Sequence, residues 1–175
     1  MKNISLLDLL IHSLTKPSSL ARFRGVSIGK VIQYTFLLIL ILTAFSFGQF
    51  VQSGSLNIEA FDDFEASATE LKWLVIIGGF IMLFVFNTLL IYGKVSLFAF
   101  FFSFMAKSFG RKAEYRHLWR TCAFAMTWEV FFTIIATSVG FTGNVATFVG
   151  IFITAGFVSI ALIYYPKLQK GSHAM

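Results

Sequence analysis

Cysteine is nearly missing from this chain. Cys122 is the only one in 175 residues, which excludes an intramolecular disulfide and a multi-cysteine metal site. Charge is also scarce: Asp, Glu, Lys and Arg make up 13% of the residues, about half the share typical of a soluble domain. Histidine occurs three times, at His12, His117 and His173, and always outside the long apolar runs. An intramembrane serine protease, which needs Ser and His within reach of each other, therefore has no base. No apolar run carries a pair of aspartates, and no glycine-rich loop is built to cradle phosphate. His12 has no second His, Cys or carboxylate at ligand spacing. His117 and Cys122, five residues apart near a helix start, would need further ligands from elsewhere to hold a metal. These gaps point to a non-enzymatic chain with no cofactor.

Apolar sequence is abundant. Hydrophobic residues make up 57% of the chain, 23 of them Phe, and the mean hydropathy is +0.81. Four stretches, 31–51, 73–92, 121–139 and 145–165, are free or nearly free of charge. Each approaches the ~20 residues needed to cross ~30 Å of hydrocarbon. The expected fold is all-α: a polytopic membrane helix bundle forming a single integral membrane domain over residues 1–175. The first apolar run is longer than the ~7–15 residues of a cleavable signal core and is expected to stay as an anchor. The closing Gly171–Met175, GSHAM, reads as a cloning remnant, so His173 is left out of any site.

The remaining charge is asymmetric. Lys2, Lys16, Arg22, Arg24 and Lys30 precede the first span. Lys94, Lys107, Arg111, Lys112, Arg116 and Arg120 separate the second and third, and Lys167 and Lys170 follow the fourth. Only Lys72 lies on the other side, where the loop 52–72 holds Glu59, Asp62, Asp63, Glu65 and Glu70. Lys and Arg in short loops are retained on the side of synthesis, so both termini are expected in the cytoplasm of a multi-pass cell-membrane protein. The net charge of +6 is thus sorted by membrane side, which argues against nucleic acid as a partner.

Residues 1–30 form an interfacial segment. Ile4, Leu7, Ile11 and Leu14 share a helical face, widened by Leu6 and Leu10, opposite Ser5, Asp8, His12 and Thr15. Pro17 should end that helix, Ser18 or Ser19 can cap the next turn, and Arg22, Phe23 and Arg24 set an aromatic between cations at headgroup level. The segment is expected to lie on the inner leaflet against anionic lipid, with docking of a partner as the alternative. Arg111, Lys112, Arg116 and Arg120 are lipid or partner contacts of the same kind.

After the second span, apolar residues continue through Phe98, Phe100, Phe101, Phe102 and Phe104 to Ala106. A break or bend near Gly93 is expected, followed by a Phe-rich helix that is interfacial or packed on the bundle; a re-entrant segment is the competing option. Between the third and fourth spans, Gly140, Gly143 and Asn144 mark a short turn, so those helices are antiparallel neighbours. Ala146, Gly150 and Thr154, with Ala136 and Gly140, form small faces for close helix packing or for a homo-oligomer.

Glu129 is the ionisable residue well inside a span, and an intramembrane acid is a functional candidate by default. Counting along the helices puts Glu129 ~12 Å, Asn87 ~9 Å and Ser159 ~9 Å from the same boundary. These three are expected to form an intramembrane polar layer. In one reading Glu129 is neutral and hydrogen-bonded to Asn87 or a hydroxyl as interhelical glue. In the other it handles a proton or cation in a small oligomeric transporter or channel.

Two runs carry a family resemblance. KPSSLARFRGVSIGK, residues 16–30, and YRHLWRTCAFAM, residues 115–126, resemble the Gram-positive membrane family called domain of unknown function 1189. Its members often carry the label maltodextrin utilization protein, and it is similar to the broader Yip-type group. The resemblance implies an accessory or regulatory role in carbohydrate uptake, with a sugar-transport permease as partner. It also implies a longer segment between the first two spans than 52–72, and a proline where this chain has Thr127, Trp128 and Glu129. Single cysteines replacing Ser55 and Ser172 in a Cys122→Ser background should label from outside and inside respectively. Outside labelling at position 172 would overturn the topology.

Overall fold

The structure, a computed structural model, describes residues 9–10, 13, 25–52, 68–111, 113–141 and 143–166. Hydrocarbon offers no partner to backbone N–H and C=O groups, so an apolar chain in lipid satisfies them within helices. Four long helices result among the described residues: α1 (Ile28–Gln52), α2 (Ala68–Ser108), α3 (Tyr115–Ser138) and α4 (Asn144–Ile163). All four are long and apolar enough to cross a membrane. The fold is all-α and multi-pass, and each helix contains or closely overlaps an expected span.

Gly93 does not interrupt α2. The expected break is replaced by one helix of 41 residues that carries the Phe-rich stretch as its second half. A helix-interior Gly costs about 1 kcal/mol relative to Ala, less than the several kcal/mol of leaving backbone groups unsatisfied in lipid. Val95, Ala99, Phe102 and Ala106, spaced four, three and four residues apart, are buried, while Leu97, Phe100, Phe101 and Phe104 are exposed. The Phe-rich half therefore continues the helix with one packed seam and an open face that is also apolar, the pattern of a membrane span.

The chain divides into two compact units. One is Phe36–Tyr92, where α1 and α2 run antiparallel. Phe36 meets Phe84 edge-on at 5.5 Å between ring centroids, and Phe47 meets Phe80 at 5.4 Å. Asn87 Nδ2 donates to Thr43 Oγ1 at 3.1 Å, so two buried polar groups satisfy each other between apolar rings.

The other unit joins Met1–Thr35 to Gly93–Met175. Its central helix is α3, buried continuously from Thr121 to Thr127. α3 ends on a left-handed Gly140 (φ +82°), with Gly140 N–H donating to Thr137 O and Phe141 N–H to Ala136 O. α2 ends the same way on Gly110 (φ +61°), with Arg111 N–H reaching Ala106 O at 2.8 Å. Both are Schellman caps, which close the last turn on orphan carbonyls and favour glycine because it has no Cβ.

Most of the expected N-terminal interfacial helix lies outside the described residues. Leu9, Leu10 and Ser13 are helical, with Leu9 and Ser13 fully buried. Ser13 Oγ lies 2.9 Å from Tyr34 OH, which lies 2.6 Å from Thr127 Oγ1, and Trp128 Nε1 donates to Ser13 O at 3.2 Å. The edge carrying Leu9 and Ser13 is thus docked on protein.

Because Gly93 is helical and a Cβ there would meet nothing within 4 Å, Gly93→Ala should stabilise the protein by about 0.5–1 kcal/mol. Thermal unfolding in mild detergent reads this, and a destabilised Gly93→Ala would show that position 93 needs glycine's conformations.

Candidate functional site

Glu129 sits in the middle of α3, buried. Its Oε1 accepts a hydrogen bond and ion pair from Lys94 Nζ on α2, and Thr154 Oγ1 on α4 donates to Oε2 at 3.2 Å. One carboxylate therefore ties three helices through both of its oxygens. Its stem lies over Gly150: a Cβ there would come within 3.0 Å of Glu129 Cγ. The small stripe Ala146, Gly150 and Thr154 is buried, and at Gly150 and Thr154 it makes room for an acid and gives it a donor. Trp128, the preceding residue, stacks on Phe157 of α4 at 4.8 Å between centroids, with planes 10° apart. These contacts hold the α3 segment against α4 at the charged group and beside it.

Of the expected polar layer, the structure gives Glu129 cross-helix partners other than Asn87 and Ser159. Asn87 donates to Thr43 within its own unit. Ser159 Oγ donates to Ala155 O of its own helix at 2.8 Å, the habit of a helical serine facing an apolar environment. Lys94 was missed because the charge rule placed it in a loop after the second span. The signal was nonetheless present: Lys94 is the only charged residue between Trp73 and Ala106, and in hydrocarbon a lone cation calls for an anion at similar depth. Thr154 was legible only as a small residue, because spacing does not reveal which way a hydroxyl points.

Among the expected lipid or partner contacts, Arg22, Phe23, Arg24 and Lys112 lie outside the described residues. Arg111 follows the α2 cap and donates from Nη1 to Tyr165 O at 2.7 Å. Tyr165 is itself fixed by its hydroxyl, 2.8 Å from Thr121 Oγ1. Arg116 pairs with Glu114 at 3.2 Å on the surface, an exposed ion pair worth at most about 1 kcal/mol. Arg120 is half-buried in the first turns of α3. No group of three or more His, Cys, Asp or Glu that could hold a metal occurs among the described residues.

The family model described as Protein of unknown function (DUF1189) matches residues 48–162, well over half of the chain. The chain belongs to the DUF1189 family. The match includes the YRHLWRTCAFAM run and every residue of the Lys94, Glu129, Gly150 and Thr154 cluster, and it excludes the 16–30 run. No curated protein and no solved structure matches this DUF1189 chain.

Breaking a buried ion pair by removing one partner costs about 3–5 kcal/mol, whereas replacing both can be neutral. Lys94 keeps 29% of its side chain accessible, so Glu129→Gln or Lys94→Met alone should cost about 3 kcal/mol, the low end of that range. The double variant should recover most of the loss in detergent melting. A double variant as unstable as the sum of the two singles would show that the two residues do not act as a pair.

Proposed function

We propose that this DUF1189 protein is a non-enzymatic accessory or regulatory component of a Gram-positive cell membrane, with both termini cytoplasmic, acting by contact with a second membrane protein such as a sugar-transport permease. The observation that carries this reading is the engagement of Glu129. Both carboxylate oxygens are held by Lys94 and Thr154 of the same chain, which suits a group that joins helices better than one that receives a transported ion. The cations that follow the second span or open the third, Lys107, Arg111, Arg116 and Arg120, then form the surface that meets anionic lipid and the partner. The maltodextrin utilization label often carried by the family supplies the link to carbohydrate uptake, and the Yip-type likeness fits a small multi-span protein without chemistry of its own.

One observation favours the alternative of a small oligomeric transporter or channel: Lys94 is partly accessible, so one end of the ion pair faces outward. Purification from native membranes in mild detergent, with mass spectrometry of accompanying proteins, separates the two. The accessory reading expects a defined partner at fixed stoichiometry, in particular a sugar permease. A homo-oligomer with no accompanying protein would overturn it in favour of transport.

A further inference from the structure

Where α2 and α4 end together, a cleft of about 350 Å³ opens between Met105, Phe109, Arg111, Ser159, Leu162 and Ile163. That volume lies within the ~300–1,000 Å³ of ligand pockets. Its walls are of two kinds. Met105, Phe109, Leu162 and Ile163 are apolar, and the Ser159 hydroxyl is turned to its own helix at Ala155 O, so the inner wall presents no donor in need of a partner. Arg111 stands at the outer end, past the α2 cap, and Ser159 lies one helical turn, ~6 Å, deeper than Ile163.

Arg111 is placed firmly for a surface cation. The Gly110 cap fixes its backbone, and one N–H of its guanidinium is committed to Tyr165 O. A guanidinium carries five N–H donors in a planar fork matched to phosphate oxygens. Lys107, in the last turn of α2, is exposed and adds a second positive charge to this end of the helix. The site is therefore cationic at the lipid–water boundary and apolar one turn below it. Such a polarity gradient fits a molecule with an anionic head and a hydrocarbon tail, and it disfavours a head that carries its own ammonium group.

We propose that this cleft binds one anionic phospholipid, its phosphate on Arg111 and one acyl chain against Met105, Phe109, Ser159, Leu162 and Ile163. Either orientation of the chain leaves the cleft at a membrane boundary, and the occupant is independent of any protein partner. The lipid then becomes a packing element between the ends of two helices, with its head held by a residue that also holds Tyr165.

Native mass spectrometry of the full-length protein, delipidated in mild detergent and titrated with phosphatidylglycerol or phosphatidylcholine of identical chains, tests this. One phosphatidylglycerol should be retained at least about fivefold more strongly than phosphatidylcholine, the effect of about one basic residue near an anionic surface. Glycerol phosphate without acyl chains should not be retained. Arg111→Gln should abolish the preference and Arg111→Lys should keep part of it. Because Arg111→Gln also removes the bond to Tyr165, Ser159→Phe provides the second arm: it fills the cleft, leaves Arg111 in place, and should lower retention of both lipids. Equal retention of the two lipids, retention unchanged by Arg111→Gln and Ser159→Phe, or equal binding of free glycerol phosphate would each overturn the assignment.

Discussion

The Lys94–Glu129 ion pair is the constraint around which the larger unit is arranged. A charged side chain at the centre of a bilayer costs about 2.5–3.5 kcal/mol on insertion scales, and the neighbours of Glu129 answer that cost in turn. α2 must remain helical past Gly93 to carry Lys94. At position 150 of α4 glycine leaves room for the Glu129 stem, which a Cβ there would approach to 3.0 Å. Thr154, one turn further along, must supply the donor for the second oxygen. Electrostatics and close packing thus specify the same α3–α4 face, and a change to either one disturbs the other.

Much of the architecture was legible because membrane insertion is governed by quantities that sequence carries directly: length of apolar runs and placement of charge. The four spans follow from those, and the antiparallel α3–α4 pair from the short turn marked by Gly140, Gly143 and Asn144. What was not legible is rotation about the helix axis. Depth counting placed Asn87, Glu129 and Ser159 at similar heights, yet each residue turns 100° from the last, and height says nothing about facing direction. Asn87 found Thr43, Ser159 turned to its own backbone, and Glu129 found Lys94 and Thr154. The reading at Gly93 failed for a related reason. Glycine and lysine together look like the end of a span, but in lipid the backbone has no better option than to continue the helix.

The N-terminal segment shows the same competition from the other side. Its periodicity suits a helix lying on lipid, and that pattern is compatible with docking through another edge. Ser13 reaches Tyr34 of α1, while Trp128 of α3 donates to the Ser13 carbonyl. Ser13 and Thr127 also donate to Leu10 O and Phe124 O of their own helices, so the cluster chiefly satisfies the buried Tyr34 hydroxyl, which would be costly to leave unpaired in an apolar interior. A three-hydroxyl contact of this kind leaves little trace in a hydrophobicity pattern, since Ser, Thr and Tyr are common on helices for other reasons.

Several polar groups buried in the described spans are held within the fold. Thr35 and Thr88 donate to backbone carbonyls of their own helices, Thr43 accepts from Asn87, and the Thr121 hydroxyl meets that of Tyr165. A pathway for polar solutes needs lining groups whose hydrogen-bonding capacity is left over, and these side chains have spent at least part of theirs inside the fold. The termini of the spans differ. There Arg111 follows a capped helix with a planar fork of donors of which one is committed, and the apolar cleft beside it is shaped by residues from two helices. On the reading proposed above, such a bundle would recognise what lies at the membrane boundary, a lipid head or the surface of another membrane protein.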